Sequence, residues 1–160
     1  MVTPRVAAAR ACDTVPAAMI RHLLIAVDFD EVSERALSFG LNLAAQLGAR
    51  VTVMHAYGLP VLNALDAEYI PTPGAAAHKA DVHQHKLDAL VAPHKAKGVE
   101  FTALLRVGSA PEEVCSVAKE IGADAIVVGT HGRGAVGRAI LGSVAHTVLR
   151  TSTVPVITVK

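Results

Sequence analysis

From His22 onward the chain alternates short aliphatic runs with longer stretches of helical periodicity. Few folds accommodate that alternation. A run such as His22 to Val27 places apolar residues in consecutive positions, which suits a strand buried on both faces. Strand-helix units repeated in this way build a parallel sheet covered by helices.

The segment 31–47 puts Leu37, Leu41 and Ala44 on one helical face, widened by Ala36, Leu43 and Leu47, with Gly48 placed to cap it. Val51 to Tyr57 reads as a second strand. Gly58 to Gly74 then loses all periodicity and holds three prolines, so it reads as a long loop at the carboxyl edge of the sheet. A second helix is expected from about Ala76 to Lys97, closed by Gly98, and a third strand over Glu100 to Val107.

Ser109 to Glu112 matches a capping box, with Pro111 in the first turn of a helix that runs to Ile121. Asp124 to Val128 is the fourth strand, Gly129 to Leu141 a glycine-rich loop, and Gly142 to Arg150 a last helix. Pro155 to Val159 closes the chain as an edge strand, since proline cannot donate to a central ladder.

A length of 160 residues suits one compact domain, able to bury roughly 70% of its unfolded surface. The domain is expected over residues 19–160. Residues 1–18 carry Arg5, Arg10, Asp13 and Pro16 among alanines. They read as an extension outside the fold, with Met19 as the natural start.

Charge and composition exclude several functions. Fifteen basic against 14 acidic residues and five scattered aromatics offer neither the cationic surface nor the stacking platforms that nucleic acids require. The mean hydropathy of +0.42 is high, yet no apolar run approaches the ~20 residues of a membrane span. Cys12 and Cys115 are too few for a disulfide scaffold, so a reducing, cytoplasmic setting is expected.

The chemistry concentrates in Gly129-Thr130-His131-Gly132-Arg133-Gly134-Ala135-Val136-Gly137-Arg138-Ala139-Ile140-Leu141-Gly142-Ser143. A strand that runs into glycines and then a helix start exposes backbone amides at the positive end of the helix dipole, a setting for phosphate. A P-loop needs a Gly-Lys-Ser/Thr triplet, and no lysine lies between Lys119 and Lys160. Gly132, Gly134 and Gly137 spell the dinucleotide fingerprint, but that motif requires an acid about 20 residues on, and none follows Asp124. A phosphoacceptor receiver would need an aspartate after the third strand, where Val107-Gly108 stands.

The remaining pattern is G-x2-G-x9-G-S, met by Gly129, Gly132, Gly142 and Ser143. With the strand ending Val27-Asp28-Phe29, the strand Val53-Met54-His55-Ala56 and the terminal Val154-Pro155-Val156, it resembles the universal stress protein family of small nucleotide-binding α/β domains. The resemblance implies a five-stranded parallel sheet in the order 3-2-1-4-5, with helices on both faces. Ligands bind where such a topology reverses, here between the first and fourth strands.

It further implies an ATP site. Asp28 would face the ribose, the Ala56 backbone the adenine edge, and Gly129 the ribose. Gly132, Gly142, Ser143 and Val144 would hold phosphates, with Arg133 and Arg138 adding charge. It implies a homodimer through Val154 to Val159, and nucleotide-dependent stress signalling or protection with at most slow hydrolysis. A dimeric partner-binding module of the same fold, without nucleotide, is the alternative.

Asp30 stands where the family most often has serine. It is expected to cap the following helix, to weaken binding of a free triphosphate, and to help hold Mg2+ or Mn2+ if one accompanies it. Ser143 is a candidate helix cap as well as a phosphate ligand. His131 reads as a loop hydrogen-bonder, His146 as a packing or surface residue, and Cys115 as a core residue. His78, His83, His85 and His94 read as a solvated helix face rather than a metal site, although Asp81 and His85 have chelating spacing.

Overall fold

The computed structural model describes residues 20–58, 73–130 and 141–160. The extension 1–18, Met19, most of the Gly58–Gly74 segment and the stretch 131–140, with His131, Gly132, Arg133 and Arg138, lie outside the described residues.

Five strands, β1 (His22–Ala26), β2 (Arg50–Tyr57), β3 (Phe101–Val107), β4 (Ala125–Gly129) and β5 (Val156–Val159), form one parallel sheet in the order β3-β2-β1-β4-β5. The register sets Leu23 against Val51 on one side and against Ala125 on the other. The expected strand order is present, and β5 is an edge.

Helices α1 (Glu31–Leu47), α2 (Pro73–Val91), α3 (Ala110–Glu120) and α4 (Ser143–Thr151) cover both faces. Alternating residues of the central strands feed two cores. Leu23, Ile25, Val53 and Val127 pack with Leu37 and Leu41 of α1 and Leu87 of α2. Leu24, Met54, Ile126 and Val128 pack with Val114 and Val117 of α3 and Val148 of α4. Each such side chain removed from water contributes about 1.5–3 kcal/mol before conformational entropy is counted. That double burial absorbs the chain's aliphatic surplus.

Local chemistry sets the helix ends. Asp30 Oδ1 accepts the Ser33 N–H at 2.7 Å and starts α1, while Glu31 and Glu34 complement the positive end of its dipole. Gly48, at φ 64°, closes it by donating to the Ala44 carbonyl.

Several expected details differ. The second helix begins at Pro73, where a missing amide costs nothing, and gives way at Ala92 to a 3-10 segment reaching Lys97. Pro93 explains the break. Ser109 occupies the cap position of α3 but makes no side-chain cap bond. The Glu113 side chain lies instead against Gly108, whose φ of 155° a Cβ would make untenable. Asp124 stands before β4 rather than in it, because its Oδ2 accepts the backbone N–H groups of Arg21 and His22 at 2.8 and 3.0 Å. Pro155 precedes β5, and its carbonyl accepts the Ile126 N–H.

Candidate functional site

The topology reverses between β1 and β4, and a crevice of about 90 Å³ opens there at their carboxyl ends. Its apolar walls come from Ala26, Met54, Ala56, Val114 and Val128, and its polar rim from Asp28, Ser33 and Ser143. Gly129, Gly142, Val144 and Ala145 complete the side beneath α4. Six of the expected site residues, Asp28, Ala56, Gly129, Gly142, Ser143 and Val144, therefore line one cavity. Gly132 and Arg133 fall outside the described residues.

Asp28 follows β1 and is half-buried. Its Oδ1 accepts the Asp30 N–H at 3.3 Å, and its own N–H donates to Ser33 Oγ at 3.3 Å. Burial pushes its carboxyl above the ordinary carboxylate range, and the neighbouring Asp30 charge adds to that push against the Ser33 hydrogen bond. Asp30 is committed to the helix cap.

The floor of the crevice is tight around its glycine. A Cβ on Gly129 would come 3.1 Å from Val32 Cγ1 and 3.4 Å from the Ser33 nitrogen, so α1 packs directly over the end of β4. Gly142 occupies the cap position of α4 and donates to the Thr130 carbonyl at 2.6 Å. Ser143 is thus the first helical residue rather than the cap. Its amide belongs to the unpaired set at the helix start, and the dipole there favours an anion. Ala110, at the start of α3, brings a second helix N-terminus to the same rim.

The arrangement presents apolar walls to a flat ligand body, one carboxylate to hydroxyls, and helix amides to an anion.

One cluster departs from expectation. His83 is not on a solvated face: its ring stacks on Tyr57 at 4.4 Å, and its Nδ1 lies 3.0 Å from His55 Nε2. His55 is buried and donates from Nδ1 to the Val27 carbonyl at 2.7 Å. The spacing of the histidines along α2 gives no sign of such a partner, because Tyr57 and His55 reach His83 across the fold. His78, Asp81 and His85 are exposed as expected, and no group of three or more metal-ligating side chains occurs among the described residues. Cys115 packs against the second core and contacts Thr151 Oγ1 at 3.3 Å. Since that hydroxyl donates to the Thr147 carbonyl, the thiol is the donor.

The model of the Universal stress protein family matches residues 19–160. Universal stress protein YxiE of Bacillus subtilis is 30% identical over 148 residues, spanning 89% of this chain and all of that protein. A universal stress protein of Archaeoglobus fulgidus solved in complex with dAMP superposes with a TM-score of 0.64 at 25% identity, covering 89% of this chain and 99% of that one. A universal stress protein solved in complex with cAMP has the same fold, with a TM-score of 0.64 at 24% identity over 88% of this chain and 97% of that one. No described helix is long and apolar enough to cross a membrane.

Proposed function

The chain belongs to the universal stress protein family, and on that premise we propose that it binds an adenine nucleotide, ATP in the first instance, in the crevice between β1 and β4. The observation that carries the reading is the meeting of Asp28, Ala56, Gly129, Gly142, Ser143 and Val144 around one cavity. The walls fit the group. Asp28 accepts from ribose hydroxyls, the Ala56 backbone meets the adenine edge, and the amides at the start of α4 hold phosphate.

Gly132, Arg133 and Arg138 extend the phosphate contacts in this reading. A divalent ion, Mg2+ or Mn2+, would offset the repulsion between a triphosphate and the two carboxylates of the β1–α1 turn. Asp30 already spends one carboxylate oxygen on the Ser33 amide, so its other oxygen is the one offered to the ion.

The protein acts on this reading as a cytoplasmic, nucleotide-dependent module of stress signalling or protection, with at most slow hydrolysis. Phosphoryl transfer needs an aligned nucleophile and stabilised transition-state charge, whereas the described walls offer oriented amides and one carboxylate aimed at the ligand. Two copies pair through the exposed edge of β5. Phe39 and Leu47 on α1 and Leu149 on α4 support this, because they stay exposed on the two helices that contact β5, and an open apolar edge invites pairing.

Chromatography of the denatured protein for released adenine nucleotide, followed by titration of ATP with Mg2+, tests the reading. Binding is expected in the wild type and lost in Gly142→Val, whose backbone angles of φ −58° and ψ 153° tolerate a side chain. No carried nucleotide and no binding near millimolar ATP would favour the ligand-free partner-binding module.

A further inference from the structure

The turn that presents Asp28 is held from the opposite face of the sheet. Phe29 adopts φ 64°, a left-handed conformation that is strained for a bulky residue and persists only where the surroundings enforce it. Its ring lies 4.2 Å from that of His55, on the side covered by α1 and α2, while the adjacent Asp28 lines the crevice on the other side. His55 in turn holds the Val27 carbonyl, one residue before Asp28.

His55 donates from Nδ1, so in its neutral form Nε2 is an acceptor, and the N–H at His83 Nδ1 fills it at 3.0 Å. The two rings lie 13° from parallel with centroids 5.0 Å apart. His83 is also a principal anchor of its own helix. The buried apolar residues of α2 are Leu87 and Val91, in its C-terminal half. Nearer the N-terminus it is tied at its middle by His83 on Tyr57 and, one turn earlier, by Lys79, which donates to the Gly58 carbonyl at 2.9 Å.

We propose that His83 is a positioning residue of the crevice: through its hydrogen bond to His55 it fixes the Phe29 turn, and so couples the seating of α2 to ligand binding at Asp28. The coupling to ligand rests on the nucleotide reading above, whereas the anchoring of the turn does not. His83→Phe keeps a ring on Tyr57 and removes the hydrogen bond. His83→Asn removes the ring and returns an N–H near the position of Nδ1.

Two measurements decide the matter, with circular dichroism confirming that each variant is folded. Calorimetric titration with AMP and with ATP plus Mg2+ should show His83→Phe binding about fivefold more weakly, the scale of one net hydrogen bond, and His83→Asn recovering most of that loss. Hydrogen exchange of the Asp30 and Ser33 amides, without ligand, should accelerate by a similar factor in His83→Phe and recover in His83→Asn. Wild-type affinity or wild-type exchange in His83→Phe overturns the proposal, as does a His83→Asn variant no better than His83→Phe. If the wild type binds neither nucleotide, the nucleotide reading fails by itself; the exchange rates then decide the anchoring alone, with unchanged rates overturning it.

Discussion

Asp28 and Asp30 stand two residues apart in one turn, joined by a hydrogen bond from the Asp30 amide to Asp28 Oδ1 at 3.3 Å. The pair divides its labour, because Asp30 caps α1 while Asp28 faces the crevice. Burial raises the Asp28 carboxyl above its ordinary 3.8, so between those two values the folded chain holds the proton more tightly than the unfolded one. Stability therefore falls as pH rises through that window and stays lowered at neutral pH. Asp28→Asn should raise Tm at neutral pH, because it removes the buried charge, and weaken nucleotide binding. Calorimetry of both quantities checks the pairing of a gain with a loss; a variant that lost stability would contradict the assigned cause.

His22 gives the opposite slope. It is buried, with Nδ1 donating to the Ile121 carbonyl at 3.2 Å and Nε2 lying 2.9 Å from Thr52 Oγ1. Burial, helped by the Arg50 charge, lowers its pKa from the ordinary 6.5. The unfolded chain then binds more protons below 6.5, so stability should drop as pH falls from that value through the lowered folded one. His22→Phe should flatten this part of the profile while costing about 1–3 kcal/mol at neutral pH, because Thr52 and the Ile121 carbonyl lose their partner. Denaturant melts at a series of pH values would show an unchanged slope if His22 were not the titrating group.

Gly40 lies on the buried face of α1, where an added Cβ would sit 2.5 Å from Ile25 Cδ1 and 3.0 Å from its Cγ1. Valine gains about a few tenths of a kcal/mol in helix propensity over glycine, but overpacking a dense core costs about 1–3 kcal/mol. The second effect should win. Gly40→Val is expected to lower Tm by several degrees, and a neutral result would show that Ile25 has room to rotate.

Edge pairing is tested at Thr158, which is exposed on β5. Light scattering at micromolar concentration should give a dimer mass for the wild type. Thr158→Lys places a solvated charge on the open edge and should shift the mass toward the monomer. A monomeric wild type would remove this assembly from the reading.

The frame was legible because it rests on patterns local to each segment. Consecutive aliphatics announced the strands, and the Leu37-Leu41-Ala44 face with Gly48 gave α1 at its observed ends, Glu31 and Leu47. Asp28 and Gly129 were visible as residues at the ends of adjacent strands. What escaped notice depends on partners distant in sequence. Asp124 reads as a strand residue until the amides of Arg21 and His22 arrive against it. His83 reads as surface until Tyr57 and His55 close over it. The Ser109 capping box failed for a subtler reason: position favoured it, yet the hydroxyl formed no such bond.

The hydrogen-bonded pairing of β1 with β4 sets a schedule for the newly made chain. Leu23 must find Ala125, about 100 residues downstream, and at roughly 5–20 residues per second of synthesis its inner edge waits some 5–20 s for a partner. The crevice draws its lining from β1, β2 and the segments from α3 to α4, so it is complete only when the last of these has been made. A chain halted before α4 would lack β5 as well, leaving one flank of the sheet uncovered and the crevice unfinished, a substrate for chaperones.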